Sequence, residues 1–121
     1  MGYVSVTIVY PFRILADAFS SSINKLPDFY VSNQVESLVE LWESVEETDL
    51  ILVGADLLKQ SCFRDIRKIM ASFPGVHIIV IGIVSAPEVL IMKGCAGYID
   101  LHRGFDEALH LITRVGRGAT G

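Results

Sequence analysis

The sequence predicts a doubly wound α/β domain around one five-stranded parallel sheet. Two observations carry this: five short strand-like runs alternate with five helix-like stretches, and the central runs are continuously apolar rather than alternating. Continuous runs are what strands covered by helices on both faces require. Composition agrees, with 51% hydrophobic and 20% charged residues in 121, the length of one domain. A chain of this size buries roughly two thirds of its unfolded surface.

Val4–Val9 is a short β-branched run closed by Pro11 and reads as the first strand. Ile14, Leu15, Ala18, Phe19, Ile23 and Leu26 then recur at helical spacing as far as Pro27. Residues 28–32 read as a brief second strand. Val35, Leu38, Val39, Trp42 and Val45 mark a second amphipathic helix running into Glu46 and Glu47. Residues 49–53 form the third, fully apolar strand. Helix three spans 64–73, with Ile66, Ile69, Met70 and Phe73 on one face and Pro74-Gly75 ending it. Residues 76–81 are the fourth strand. Residues 87–92 leave room only for a short or irregular fourth helix before Gly94 and Gly97, and Tyr98-Ile99 is a brief fifth strand. A last helix carries Phe105, Leu109, Ile112 and Val115, and residues 118–121 read as a flexible Gly-rich end.

Right-handed crossovers leave few topologies, among them the flavodoxin-like order 2-1-3-4-5. In that order the carboxyl ends of strands one, three and four come together, at Tyr10, Pro11, Gly54, Ala55, Gly82 and Ile83.

Net charge is −4 and the isoelectric point about 5.2, which provides no basic field for a phosphate backbone. Direct nucleic-acid binding by this segment is therefore not expected. No apolar stretch approaches the ~20 residues of a membrane span, and no basic-then-apolar leader opens the chain, so a cytoplasmic protein is expected. Cys62 and Cys95 have no metal-ligand spacing and read as free thiols in a reducing compartment. His77 reads as an edge or capping residue, His102 and His110 as surface positions, and Trp42 as a packing residue. Glu36, Glu40, Glu43, Glu46 and Glu47 form a solvated face. There is no catalytic triad or dyad spacing, no phosphate loop and no nucleotide fingerprint, so neither an enzyme nor a cofactor or metal is expected.

Four stretches carry a resemblance: Val6-Thr7-Ile8-Val9, Asp49-Leu50-Ile51-Leu52-Val53, His77-Ile78-Ile79-Val80-Ile81 and above all Lys93-Gly94-Cys95-Ala96-Gly97-Tyr98-Ile99. Through them the chain resembles, over residues 1–117, the CheY-like receiver domain of bacterial response regulators, in its NarL/LuxR flavour. The interval between Gly82 and Leu101 is shorter than in that pattern.

Receivers of this family hold Mg²⁺ on an acidic pair after strand one and accept phosphate on an Asp ending strand three. A hydroxyl after strand four and a Lys after strand five hold the product. Carboxylates suit a hard cation, and hydroxyl and ammonium groups suit a phosphoryl dianion. Here those places fall on Tyr10 and Pro11, Gly54, Gly82 and Leu101. Every one is substituted. Asp56, two residues beyond Gly54, reads as a solvated loop carboxylate or helix cap rather than a displaced acceptor.

The resemblance implies a phosphorylation-independent pseudo-receiver: a regulatory module of transcription that works through protein contacts, as a homodimer, on a helix-turn-helix output domain in cis beyond residue 121. The alternative is a small-molecule sensor in the vacated pocket near Tyr10, Phe12, Ile83 and Tyr98. Close packing favours filling of that space by Tyr10 and Phe12. Tyr98 stands at the family's switch aromatic, but with Gly82 in place of a hydroxyl it reads as a half-buried packing residue.

Overall fold

The computed structural model describes residues 3–44, 47–58, 62–82 and 94–120. Five parallel strands, β1 (Val4–Val9), β2 (Phe29–Val35), β3 (Leu50–Gly54), β4 (His77–Ile81) and β5 (Gly97–Ile99), form one sheet in the order β2-β1-β3-β4-β5. The expected order is the observed one. The helices are α1 (Arg13–Asn24), α2 (Leu38–Ser44), α3 (Cys62–Ser72) and α4 (Phe105–Thr120). The expected short helix over 87–92 lies outside the described residues.

Strand periodicity divides the core in two. Val4, Val6, Ile8, Leu50, Leu52, Ile79 and Ile81 point to one face, where Ala16, Phe19 and Ile23 of α1 and Ala108 and Ile112 of α4 cover them. Val9, Ile51, Val53, Ile78 and Val80 point to the other, against Leu41 of α2 and Ile66 and Ile69 of α3. This double cover is why the central runs are apolar at every position rather than at alternate ones.

Three elements differ from the sequence reading. β2 runs to Val35 through Ser32, Asn33 and Gln34. It is an edge strand, paired on one side only, and so tolerates polar residues that a central strand would exclude. Val35 consequently ends β2 rather than opening a helix. Helix α2 starts at Leu38 because Ser37 Oγ accepts the Glu40 N–H at 3.2 Å while the Glu40 carboxylate accepts the Glu36 N–H at 2.7 Å. That is a capping arrangement which satisfies donors at the helix start.

The third difference is α4, which continues past Val115 to Thr120. Gly116 does not break it, because this is where α4 touches the sheet: a Cβ there would stand 2.4 Å from the Phe29 ring and 3.5 Å from Val4. The lost helix propensity, about 1 kcal/mol relative to Ala, is offset by close approach of backbone to ring. Residues 118–120 are thus helical rather than an irregular tail.

Trp42 packs as expected, stacked on Phe73 with centroids 6.5 Å apart and Lys68 Nζ 4.6 Å from its centroid. His102 and His110 are exposed, and Cys95 is buried outside any disulfide. His77 opens β4, donating its backbone N–H to the Asp49 carbonyl at 3.0 Å, and its partly buried ring nitrogen Nδ1 has no hydrogen-bond partner.

Candidate functional site: the carboxyl ends of β1, β3 and β4

Parallel register brings three chain segments to one edge. Val9 pairs with Val53, and Gly54 with Ile81, so Tyr10, Gly54 and Gly82 follow or end neighbouring strands side by side. Tyr10 is held there by its backbone N–H, which donates to the Val35 carbonyl at 3.0 Å. Its side chain is 5% exposed and belongs to the core beneath α1 and α4.

The Tyr10 ring lies over Gly54. A Cβ on Gly54 would meet Tyr10 Cδ1 at 2.6 Å and Cε1 at 2.9 Å, with Pro11 Cδ at 3.5 Å. Real Cβ atoms do not approach a neighbour that closely, so no side chain fits at position 54 while the ring is in place. The aromatic residue and the glycine are two halves of one packing solution. Phe12 does not share in it as expected. It is 56% exposed and sits edge-on to Tyr10, with centroids 5.5 Å apart and planes at 70°.

Gly54 leads into a single 3-10 turn, Ala55–Leu57, on which Asp56 is exposed. Burial raises the Tyr10 pKa above its ordinary value of 10.0, and the negative charge of Asp56 raises it further. Asp56 is therefore close enough for its charge to be felt at the Tyr10 hydroxyl.

Gly82 has φ +138°, a conformation open to glycine and strained for other residues. Its N–H donates to the Ile99 carbonyl at 3.0 Å, and a Cβ would lie 3.0 Å from the Ala55 Cβ. Tyr98 reaches the same residue from β5. Its hydroxyl donates to the Gly82 carbonyl. Tyr98 is half-buried against the core beneath α2 and α3, as expected, and the Gly82 backbone carbonyl gives its hydroxyl a partner as well. The residue identities alone could not reveal this, since every residue carries a carbonyl.

Leu101 begins a second 3-10 turn, Leu101–Arg103, and is half-buried against the core beneath α1 and α4. Its side chain offers apolar packing and no charged group. Pro11 is half-buried beside Gly54, and Ile83 lies outside the described residues. Among the described residues no three His, Cys, Asp or Glu side chains are grouped to hold a metal ion. Two open grooves occur elsewhere, one at the amino ends of the strands and one between β5 and α4; Tyr10, Gly54 and Gly82 line neither. None of the described helices is long and apolar enough to cross a membrane.

No protein-family model matches this sequence, and no curated protein matches it in sequence. Solved structures do match in fold. A chain from the structure of two RcsB dimers bound to two parallel DNAs superposes with a TM-score of 0.81 at 12% identity, over 97% of this chain and 62% of that one. A DNA-binding response regulator of the LuxR family from Staphylococcus aureus gives 0.70 at 16% identity, over 93% of this chain and 98% of that one. The isolated REC domain of RcsB from Salmonella enterica serovar Typhimurium, in the presence of phosphomimetic BeF3−, gives 0.60 at 14% identity, over 81% and 77%. This chain spans 62% of the length of the DNA-bound RcsB chain. Its fold is that of the receiver domains of LuxR-type response regulators.

Proposed function

We propose that this chain is a receiver-type regulatory domain that works without phosphoryl transfer. The observation that carries the reading is the Tyr10 ring, whose Cδ1 lies 2.6 Å from the place where a side chain at Gly54 would begin. An acceptor carboxylate and this ring are mutually exclusive. Gly82 and Leu101 add no phosphate ligand, and among the described residues no carboxylates are grouped with Asp56 to hold the cation that would offset incoming phosphoryl charge.

Output then passes through protein contacts. The full proposal is a cytoplasmic, non-enzymatic homodimer acting on a DNA-binding domain in cis. It is supported by the fold shared with a LuxR-family DNA-binding response regulator and with DNA-bound RcsB dimers. Sensing of a small molecule in the vacated pocket is the weaker reading, since the Tyr10 ring occupies that space.

Incubation with Mg²⁺ and acetyl phosphate or beryllofluoride tests the proposal, read by intact mass, amide chemical shifts and concentration-dependent size. Unchanged mass and shifts with a constitutive dimer are expected. A mass gain with shifts centred on Asp56 would assign the acceptor there and overturn it. A monomer at all concentrations, alone and in the longest natural form of the protein, would remove the dimer.

A further inference from the structure

The opposite edge of the sheet, where the strands begin, holds an open groove of about 840 Å³ between the start of β1, the bulged middle of β2, residues 47–49 and the end of α3. It is separate from the Tyr10 site, none of whose residues lines it. Its volume falls within the range of small-molecule sites.

Three features make it more than a gap between elements. First, β2 is bulged. The register jumps from Val6↔Val31 to Thr7↔Asn33, which leaves Ser32 unpaired and brings both Ser32 and Asn33 to the groove wall. Bulges re-aim side chains in this way, and they concentrate beside functional sites.

Second, the polar groups are pre-oriented. Asp49 Oδ2 accepts from the Ser5 N–H at 3.0 Å and from the Ser5 hydroxyl at 3.3 Å, and the Asp49 N–H donates to Ser5 Oγ at 3.1 Å. This reciprocal pair fixes the carboxylate and leaves Oδ1 without a hydrogen-bond partner among the described residues. Asn33 Oδ1 accepts from the Gln34 N–H at 2.9 Å, so its amide NH₂ remains available. The Ser72 hydroxyl and the Glu47 carboxylate are exposed at the rim. One pleat deeper on the face of β1 that carries Ser5, behind the groove wall, the fully buried Thr7 hydroxyl has no hydrogen-bond partner among the described residues. That side of β1 carries Ser5 and Thr7 before Val9, where β3 and β4 present Ile51, Val53, Ile78 and Val80.

Third, an aromatic ring stands at the wall. Tyr30 is 45% exposed and is braced edge-on by Tyr3, with centroids 6.4 Å apart and planes at 78°.

We propose that this groove binds a neutral polyhydroxylated ligand of pyranose type. Sugar hydroxyls both donate and accept, and here they meet the fixed carboxylate of Asp49, the exposed carboxylate of Glu47 at the rim and an amide donor in Asn33. The apolar face of a pyranose packs on a ring such as Tyr30. Among the described residues two carboxylates and no Lys, Arg or His line the groove, so phosphorylated and other anionic ligands are repelled. For a ligand of this size in an open groove, the dissociation constant is on the order of millimolar.

The test is a titration of the isotope-labelled full chain with glucose, galactose and N-acetylglucosamine, with glucose 6-phosphate and spermidine as charged controls. Saturable amide shifts confined to Tyr30, Ser32, Asn33, Asp49 and Ser72 are expected with at least one neutral sugar, and weaker ones with the phosphate ester. Tyr30→Ala and Ser72→Arg alter exposed positions that leave the core intact; each should weaken binding about tenfold or more. No saturable shift with any neutral sugar, a response to spermidine alone, or shifts elsewhere on the surface would overturn the assignment. None of these outcomes bears on phosphorylation, so the two proposals stand or fall separately.

Discussion

The ring of Tyr10 covers Gly54 so closely that a β-carbon on the glycine would stand 2.6 Å from Tyr10 Cδ1. One contact thus excludes any side chain at position 54 and closes the space around it. Gly54→Asp, which restores the receiver pattern on paper, should destabilise the fold by about 1–3 kcal/mol, because overpacking displaces the ring. Urea unfolding of Gly54→Asp and of the double variant Tyr10→Ala/Gly54→Asp checks this. The double variant should lose less than the sum of the two single-variant losses, as expected for residues in contact.

Tyr10→Ala alone should cost about 3–5 kcal/mol, the range for deleting a buried aromatic side chain. Phe12→Ala, which alters the exposed neighbour, should cost less than Tyr10→Ala by at least about 2 kcal/mol. Equal losses in thermal or denaturant unfolding would show that the two rings act as one plug.

Tyr98→Phe deletes the hydroxyl bound to the Gly82 carbonyl and should lower stability by about 1 kcal/mol. Denaturant midpoints measure the loss. Slower-than-wild-type hydrogen exchange at the Gly82 amide in this variant would contradict a role for the hydroxyl in tying β5 to the end of β4.

The two glycines of α4 should respond oppositely to alanine. Gly116→Ala brings a methyl to 2.4 Å from the Phe29 ring and should destabilise by about 1–3 kcal/mol. Gly118 has nothing within 4 Å of its Cβ position, so Gly118→Ala should stabilise by about 0.5–1 kcal/mol through helix propensity. Melting curves of the pair give both signs.

Burial, and then the charge of Asp56, raise the Tyr10 pKa above 10.0. The neutral phenol is the form favoured by folding. Its contribution to stability is complete below the ordinary tyrosine pKa and is lost as pH rises through the raised folded value. Asp56→Asn removes the second cause, so ultraviolet titration of tyrosinate should place Tyr10 lower in the variant than in the parent.

Much of this molecule was legible in its sequence. The apolar runs located β1, β3 and β4 to within a residue, and alternation with helical stretches produced the parallel order β2-β1-β3-β4-β5. The lengths of β2 and α4 were misread because each depends on a neighbour distant in sequence. β2 tolerates Ser32, Asn33 and Gln34 because it lies at the sheet edge, and α4 passes through Gly116 because Phe29 lies against it.

At the candidate site, the sequence by itself determined which residues stand at the strand ends: Tyr10, Gly54, Gly82 and Leu101, with no acidic, hydroxyl or amine side chain at the last three. Only the tertiary structure decided how they are arranged. It placed the Tyr10 ring over Gly54, left Phe12 exposed and directed the Tyr98 hydroxyl to the Gly82 carbonyl. It also assembled the groove from Ser5, Ser32, Asp49 and Ser72, which no spacing connects. Hydrophobic periodicity records the face a residue presents to its own element's partner, a local property of the chain. A side-chain rotamer and a contact between non-consecutive strands are set by the packing of segments far apart in sequence, and that packing exists only once the sheet has formed.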